Sequence, residues 1–102
     1  MSDDIALLYA SDGSRVRLRA AGEWVAREAA RLEPLTRSIP GQALGAPSVE
    51  IDLTEVTRLD TLGAKLIDQI RGMLTAAGTR VEITTGDEAQ RVLLAEIASH
   101  RL

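Results

Sequence analysis

Between Arg15 and Ala20 the chain alternates strictly, with Val16, Leu18 and Ala20 set against three arginines. A period of two puts one set of side chains on each face of a β-strand, so this segment predicts a strand with one wet face. The apolar run from Ile5 to Ala10 predicts another strand, and the turn cluster Ser11-Asp12-Gly13-Ser14 joins the two into a β-hairpin. Gly22 breaks the pattern. From Trp24 to Glu33 the positions Trp24, Val25, Ala29 and Leu32 recur at helical spacing. Pro34 ends or kinks that helix, because proline lacks an amide donor and crowds the preceding turn. Residues 38–48 contain Pro40, Gly41, Gly45 and Pro47 and read as a loop.

The second half repeats the logic. Val49, Ile51 and Leu53 alternate with Glu50 and Asp52 over Ser48 to Leu53, a strand. A short connection through Thr54 and Glu55 leads to Val56 and Leu59, which read as buried anchors. Residues 61–77 carry the clearest helical pattern. Leu62, Gly63, Leu66, Ile67, Ile70, Met73, Leu74 and Ala77 share one arc; Thr61, Lys65, Asp68, Gln69, Arg71 and Thr75 lie opposite, and Gly72 joins that exposed side. Gly78 stands where a C-terminal capping glycine belongs. Val81 and Ile83 then alternate with Glu82 and Thr84 in a further strand. Asp87-Glu88-Ala89-Gln90 resembles a capping box, and Ala89, Leu93, Leu94 and Ile97 continue as a final amphipathic helix.

The predicted order is β-β-α-β-α-β-α. Strands covered on both faces are apolar throughout, whereas three strands here alternate cleanly. The expectation is therefore an α/β domain with a mixed four-stranded sheet and three helices on one face. Arg17, Glu50 and Glu82 then lie on the bare face, where cross-strand Arg-to-Glu or Arg-to-Asp pairs can line it. The strand-helix-strand unit over residues 48–84 should be a right-handed crossover with parallel strands. At 102 residues, one domain is expected, spanning residues 1–102.

Composition then narrows the chemistry. Twelve basic and 15 acidic residues leave a net charge of −3, which argues against nucleic-acid binding by bulk charge. The absence of cysteine removes thiolate metal sites and thiol nucleophiles. Aromatics amount to 2%, Trp24 and Tyr9, so the core must be aliphatic and base-stacking platforms are not expected. His100 is the single histidine and lies two residues from the chain end, a poor place for a general base or a zinc ligand. No Gly-x-x-x-x-Gly-Lys phosphate loop occurs. No catalytic residue, metal or cofactor is expected. No apolar run approaches the roughly 18 residues of a membrane span, and the acidic start Met-Ser-Asp-Asp-Ile lacks the basic opening of a signal peptide. An intracellular domain is expected.

One constellation stands apart: Leu59-Asp60-Thr61-Leu62-Gly63-Ala64, between a strand and the best helix. Asp60 and Thr61 sit at the helix N-terminus. A short oxygen side chain there caps orphan amides, worth about 1 kcal/mol. Gly63, on the buried arc, lets the helix approach the sheet closely. A hydroxyl at the positive end of a helix is also a good place for a phosphate or a partner's polar group, and the two roles are compatible. Gly72 on a solvated helix face costs about 1 kcal/mol against alanine, which a closely approaching partner would explain.

The run from Val49 to Ala64, a strand ending in Asp-Leu and a short connection followed by Asp60-Thr61-Leu62-Gly63, resembles the core of a STAS domain, the module named for sulfate transporters and anti-sigma-factor antagonists. Ala77-Gly78-Thr79-Arg80-Val81-Glu82-Ile83 resembles the family's next strand entry, and the resemblance extends over about residues 15–98, which it implies as the core of the domain. Within the family, Asp-Thr-x-Gly-Ala together with Gly22-Glu23-Trp24 looks most like the segment that precedes the permease subunit of Mla-type phospholipid ABC transporters. Lys65 departs from that pattern, which carries an aromatic or apolar residue there. The resemblance implies a non-catalytic, regulatory protein-interaction module at the cytoplasmic face of the bacterial inner membrane. Its implied partners are the ATPase subunit and the permease. The implied contact surface is the start of the helix, Asp60, Thr61, Leu62 and Gly63, with Lys65, Asp68 and Gly72 beyond it. The alternative it implies is a phospho-switch in the anti-sigma antagonist style, with Thr61 accepting phosphate from a kinase.

Overall fold

The structure is a computed structural model that describes residues 4–12 and 15–100. Four strands, β1 (Ala6–Asp12), β2 (Arg15–Trp24), β3 (Ser48–Leu59) and β4 (Arg80–Thr84), form one sheet in the order β1-β2-β3-β4. β1 pairs antiparallel with β2; β2–β3 and β3–β4 are parallel. Among the described residues four α-helices accompany them: α1 (Ala29–Arg37), the single turn α2 (Gly41–Leu44), α3 (Thr61–Ala76) and α4 (Glu88–Ser99). The domain is thus α/β with a mixed four-stranded sheet, as the alternation predicts, but with four helices instead of three.

Register explains why one face is covered. Val16, Val49 and Val81 lie side by side across the parallel strands, as do Leu18, Ile51 and Ile83. Leu32 of α1, Ala43 of α2, Leu66, Ile67, Ile70 and Leu74 of α3, and Leu94 of α4 pack on that layer. Each large aliphatic side chain fully buried there contributes roughly 1.5–3 kcal/mol. The opposite face carries Arg17 and Glu82 exposed and Glu50 half-buried. Cross-strand pairs do line it: Arg17 Nε lies 3.2 Å from Glu50 Oε1, and Arg19 Nε lies 3.8 Å from Asp52 Oδ2.

Several boundaries differ from the sequence reading, each for a physical reason. β1 begins at Ala6 and runs on to Asp12, because Ser11 and Asp12 pair with Val16 and Arg15. Gly13 and Ser14 of the expected turn lie outside the described residues. β2 does not stop at Gly22 but bulges there and continues to Trp24. Gly22 adopts φ +88°, and a Cβ on it would meet the Asp4 carbonyl oxygen at 2.9 Å. Glycine is thus the residue that lets the strand bend and the backbone of Asp4 and Ile5 lie close against it. Trp24 and Val25 are consequently not helical. The helix opens with a 3-10 turn at Ala26–Glu28, and α1 continues past Pro34 to Arg37. Burial of Leu32 and Thr36 offsets the lost amide bond, and the Thr36 hydroxyl donates to the Glu33 carbonyl at 2.9 Å.

The expected loop over residues 38–48 contains the turn α2, which buries Ala43. β3 is twice its expected length, because Glu55 to Leu59 pair with the extension of β2 instead of forming a connection. α3 ends at Ala76, with Gly78 at φ +88° just beyond it, while Met73 and Ala77, expected on the buried arc, are exposed. Asp68 and Gly72, expected on the exposed side, are half-buried. In α4 the reading inverts at one turn: Ala89 is exposed and Gln90 is buried. Gln90 Nε2 donates to the Val56 carbonyl and its Oε1 accepts from Gly86 N–H, so the side chain ties α4 to β3. Among the described residues no helix is long and apolar enough to cross a membrane.

Candidate functional site

The long strands β2 and β3 end together, with Trp24 opposite Leu59, and the next residue of β3 opens α3. Asp60 therefore stands at a corner where two chain segments turn at once. Its Oδ1 accepts from Gly63 N–H at 3.1 Å, the N-cap bond expected of a short acidic side chain. Its Oδ2 accepts from Ala26 N–H at 2.8 Å, which also fixes the start of the 3-10 turn. One carboxylate thus satisfies orphan amides of two helical segments. Its own N–H donates to the Trp24 carbonyl at 3.3 Å, and its carbonyl accepts from Ala64 N–H at 2.9 Å. Burial raises the Asp60 pKa, but the backbone amides of Ala26, Gly63 and Leu62 that face the carboxylate outweigh it and hold the pKa below the ordinary value of 3.8.

Gly63 is buried against the same carbonyl. A Cβ there would overlap the Trp24 carbonyl oxygen and lie 2.7 Å from its carbonyl carbon. The close approach expected of Gly63 is met, and its counterpart is Trp24. That indole is fully buried and donates its Nε1–H to the Ala21 carbonyl at 3.0 Å. Sequence reasoning placed Trp24 on a helix and missed this role. A signal was available, because apolar or small residues continue at every second position through Val16, Leu18, Ala20, Gly22 and Trp24, the positions that the structure buries.

Around this anchored corner the other candidate residues separate into two groups. Thr61 and Lys65 are exposed, and the Thr61 hydroxyl makes no hydrogen bond among the described residues. Leu62 turns inward and packs against the core cluster. Asp68 pairs with Arg71 one turn along, at 3.0 Å. Gly72 is half-buried, and a Cβ on it would meet nothing within 4 Å. Hence Asp60, Leu62 and Gly63 build the corner, Thr61 and Lys65 present it to solvent, and Asp68 and Gly72 continue the same helix further on. His100 lies at the other end of the chain, at the α4 C-terminus, its Nδ1–H directed at the Glu96 carbonyl.

Asp52 also departs from expectation. Grouped with the solvated sheet face by its alternation, it is only 8% exposed. Its Oδ1 accepts from the amide and the hydroxyl of Thr54 at 2.9 and 2.7 Å. Burial pushes its pKa up, yet the Thr54 bonds and the positive charges of Arg17 and Arg19 hold it below the ordinary value. The Asp-x-Thr spacing was the signal, since short side chains bond backbone amides two residues on.

Fold and site together define an α/β domain in which a doubly bonded aspartate presents a helix start to solvent. Its likeness among solved structures is to segments of Mglu. One crystal structure of Mglu superposes with a TM-score of 0.58 at 28% identity, covering 74% of this chain and 18% of that one. Mglu in its native form gives 0.54 at 23% identity, over 78% and 23%. Its L-glutamate binding form in 4.3 M NaCl gives 0.51 at 21% identity, over 76% and 26%. The chain spans about a fifth to a quarter of the Mglu chains it matches. No protein-family model matches the chain, and no curated protein matches it.

Proposed function

We propose that this chain is a non-catalytic interaction module of the STAS type. In this reading it serves a phospholipid ABC transport system at the cytoplasmic face of the inner membrane, beside the permease. It docks on the ATPase subunit through the start of α3, with Thr61 at the centre and Lys65 beside it. The observation that carries the reading is the combination at one corner of a rigidly fastened backbone and an exposed, unengaged hydroxyl. Asp60 bonds two helical segments while Thr61 faces solvent. A preorganised edge of this kind loses little entropy on docking. The likeness to one segment of a longer chain, Mglu, supports a modular reading.

The test is Thr61→Glu, measured for binding and melting on the same sample against the ATPase subunit of the transport system this reading assigns. The new charge suits the helix dipole, so stability should change by about 1 kcal/mol or less. A desolvated, unpaired carboxylate in an interface costs on the order of 2–5 kcal/mol, so affinity should fall at least tenfold. Unchanged affinity would leave Thr61 as part of a helix start and nothing more. The same hydroxyl favours a second reading, in which Thr61 accepts phosphate, because the N-terminal amides of a helix accommodate an added dianion. Phosphate incorporation by a partner kinase that disappears in Thr61→Val would select it.

A further inference from the structure

The two edges of the sheet are built differently. β4 is five residues long and carries Arg80 and Glu82 exposed, the charged and short kind of edge that resists pairing. β1 is seven residues long, and from Ile5 to Ser11 the chain holds no charge, proline or glycine. Leu8 is 55% exposed on the bare face and Tyr9 is 37% exposed on the helix face. Among the described residues the backbone of Ala6–Asp12 bonds only to β2, so its outer row of donors and acceptors is open.

We propose that β1 is a self-association edge, pairing antiparallel with β1 of a second copy into a continuous eight-stranded sheet. The segment is self-complementary about Leu8. A two-fold axis there sets Leu8 against Leu8, Leu7 against Tyr9 and Ala6 against Ala10, and every opposed pair points to the same face. Leu8 lies beside Arg19 on the bare face; Leu7 and Tyr9 lie beside Ala20 and Leu18 on the helix face. Leu7 and Tyr9 would thus extend the apolar layer across the junction, and aromatic–aliphatic cross-strand pairs are favourable. At each end Asp4 of one copy approaches Asp12 of the other, and Arg15, opposite Asp12 in the hairpin, supplies the compensating charge. A contact of seven residues a side is smaller than the roughly 20–30 residues a side of a standard interface, so association should be weak and is best sought at about 10–100 µM protein.

The experiment is sedimentation of the whole chain across that range, for the wild type, Leu8→Lys, Leu8→Glu, and an equimolar mixture of the two variants. Leu8 is exposed, so melting temperatures should match and exclude misfolding as the cause. The wild type should form a reversible dimer. Each variant alone should associate at least tenfold more weakly, because like charges meet on the axis. The mixture should recover, because an introduced ammonium then faces an introduced carboxylate. A wild type that stays monomeric overturns the proposal, as do single variants that dimerise normally or a mixture that fails to recover. A monomeric wild type whose β1 amides become protected from exchange by an added peptide of unrelated sequence would assign the edge to a foreign strand, and would equally overturn it.

Discussion

α3 carries two glycines with opposite surroundings. Gly63, in its first turn, has the Trp24 carbonyl where a side chain would begin; Gly72, in its fourth, has nothing within 4 Å of that place. The same residue type therefore answers to the fold at one position and to nothing within the molecule at the other. What separates them is the corner. There the ends of β2 and β3 and the starts of two helical segments converge on one carboxylate. Gly72 lies in a later turn of α3, next to exposed Met73 and away from that corner. A glycine required by packing and a glycine left over on a helix face look alike in the sequence.

Substitutions sharpen this contrast. Gly63→Ala should have the largest effect. The methyl group overlaps backbone, not a flexible side-chain tip, so helix or strand must shift, costing about 3 kcal/mol or more. Denaturant unfolding checks it, and a loss under about 1 kcal/mol would mean that α3 sits further from Trp24. Asp60→Ala comes next, with a loss of about 2 kcal/mol from two amides left without their acceptor. It also changes the pH dependence. The folded pKa of Asp60 lies below the unfolded one, so its stabilisation is present above the ordinary value of 3.8 and is lost as pH falls through the lowered value. The acid limb of the wild-type stability curve should therefore be steeper than that of Asp60→Ala, measured by melting from neutral to strongly acidic pH.

Gly72→Ala should act in the other direction, raising stability by about 1 kcal/mol through helix propensity alone. If it also weakens partner binding, the open space above Gly72 is used by a partner. Thr61→Glu should have the smallest effect on melting and the largest on docking, the reverse of Gly63→Ala. Equal effects of the two on stability would erase the distinction between anchoring and presenting residues at this corner.

The elements that rest on alternation were legible, and those that rest on contact were not. Val49, Ile51 and Leu53 predicted β3 and its covered face correctly, because a strand with one wet side writes its geometry into every second residue. The Asp60 cap was legible for a similar reason, since capping is local. Gly22 misled because a glycine marks a break or a bulge equally well from the sequence. Which of the two applies depended on residues 4–5 lying close against it and on β3 being there to continue the ladder. The missed half of β3, the misplaced Trp24 and the turn α2 follow from that one decision or from packing of Ala43.

By itself the sequence determined the one-sided sheet, the position of α3, the oxygen pair at its start and a core that is aliphatic except for Trp24. Hydrophobic periodicity and capping act over a few residues, and neither needs a distant partner. Only the tertiary structure decided that Asp60 serves a second segment at Ala26, that Gly63 is held by Trp24, and that Gln90 is buried to reach Val56. Each of these joins residues more than 30 positions apart. Their pairing depends on where two strands end side by side in space, which no local pattern encodes.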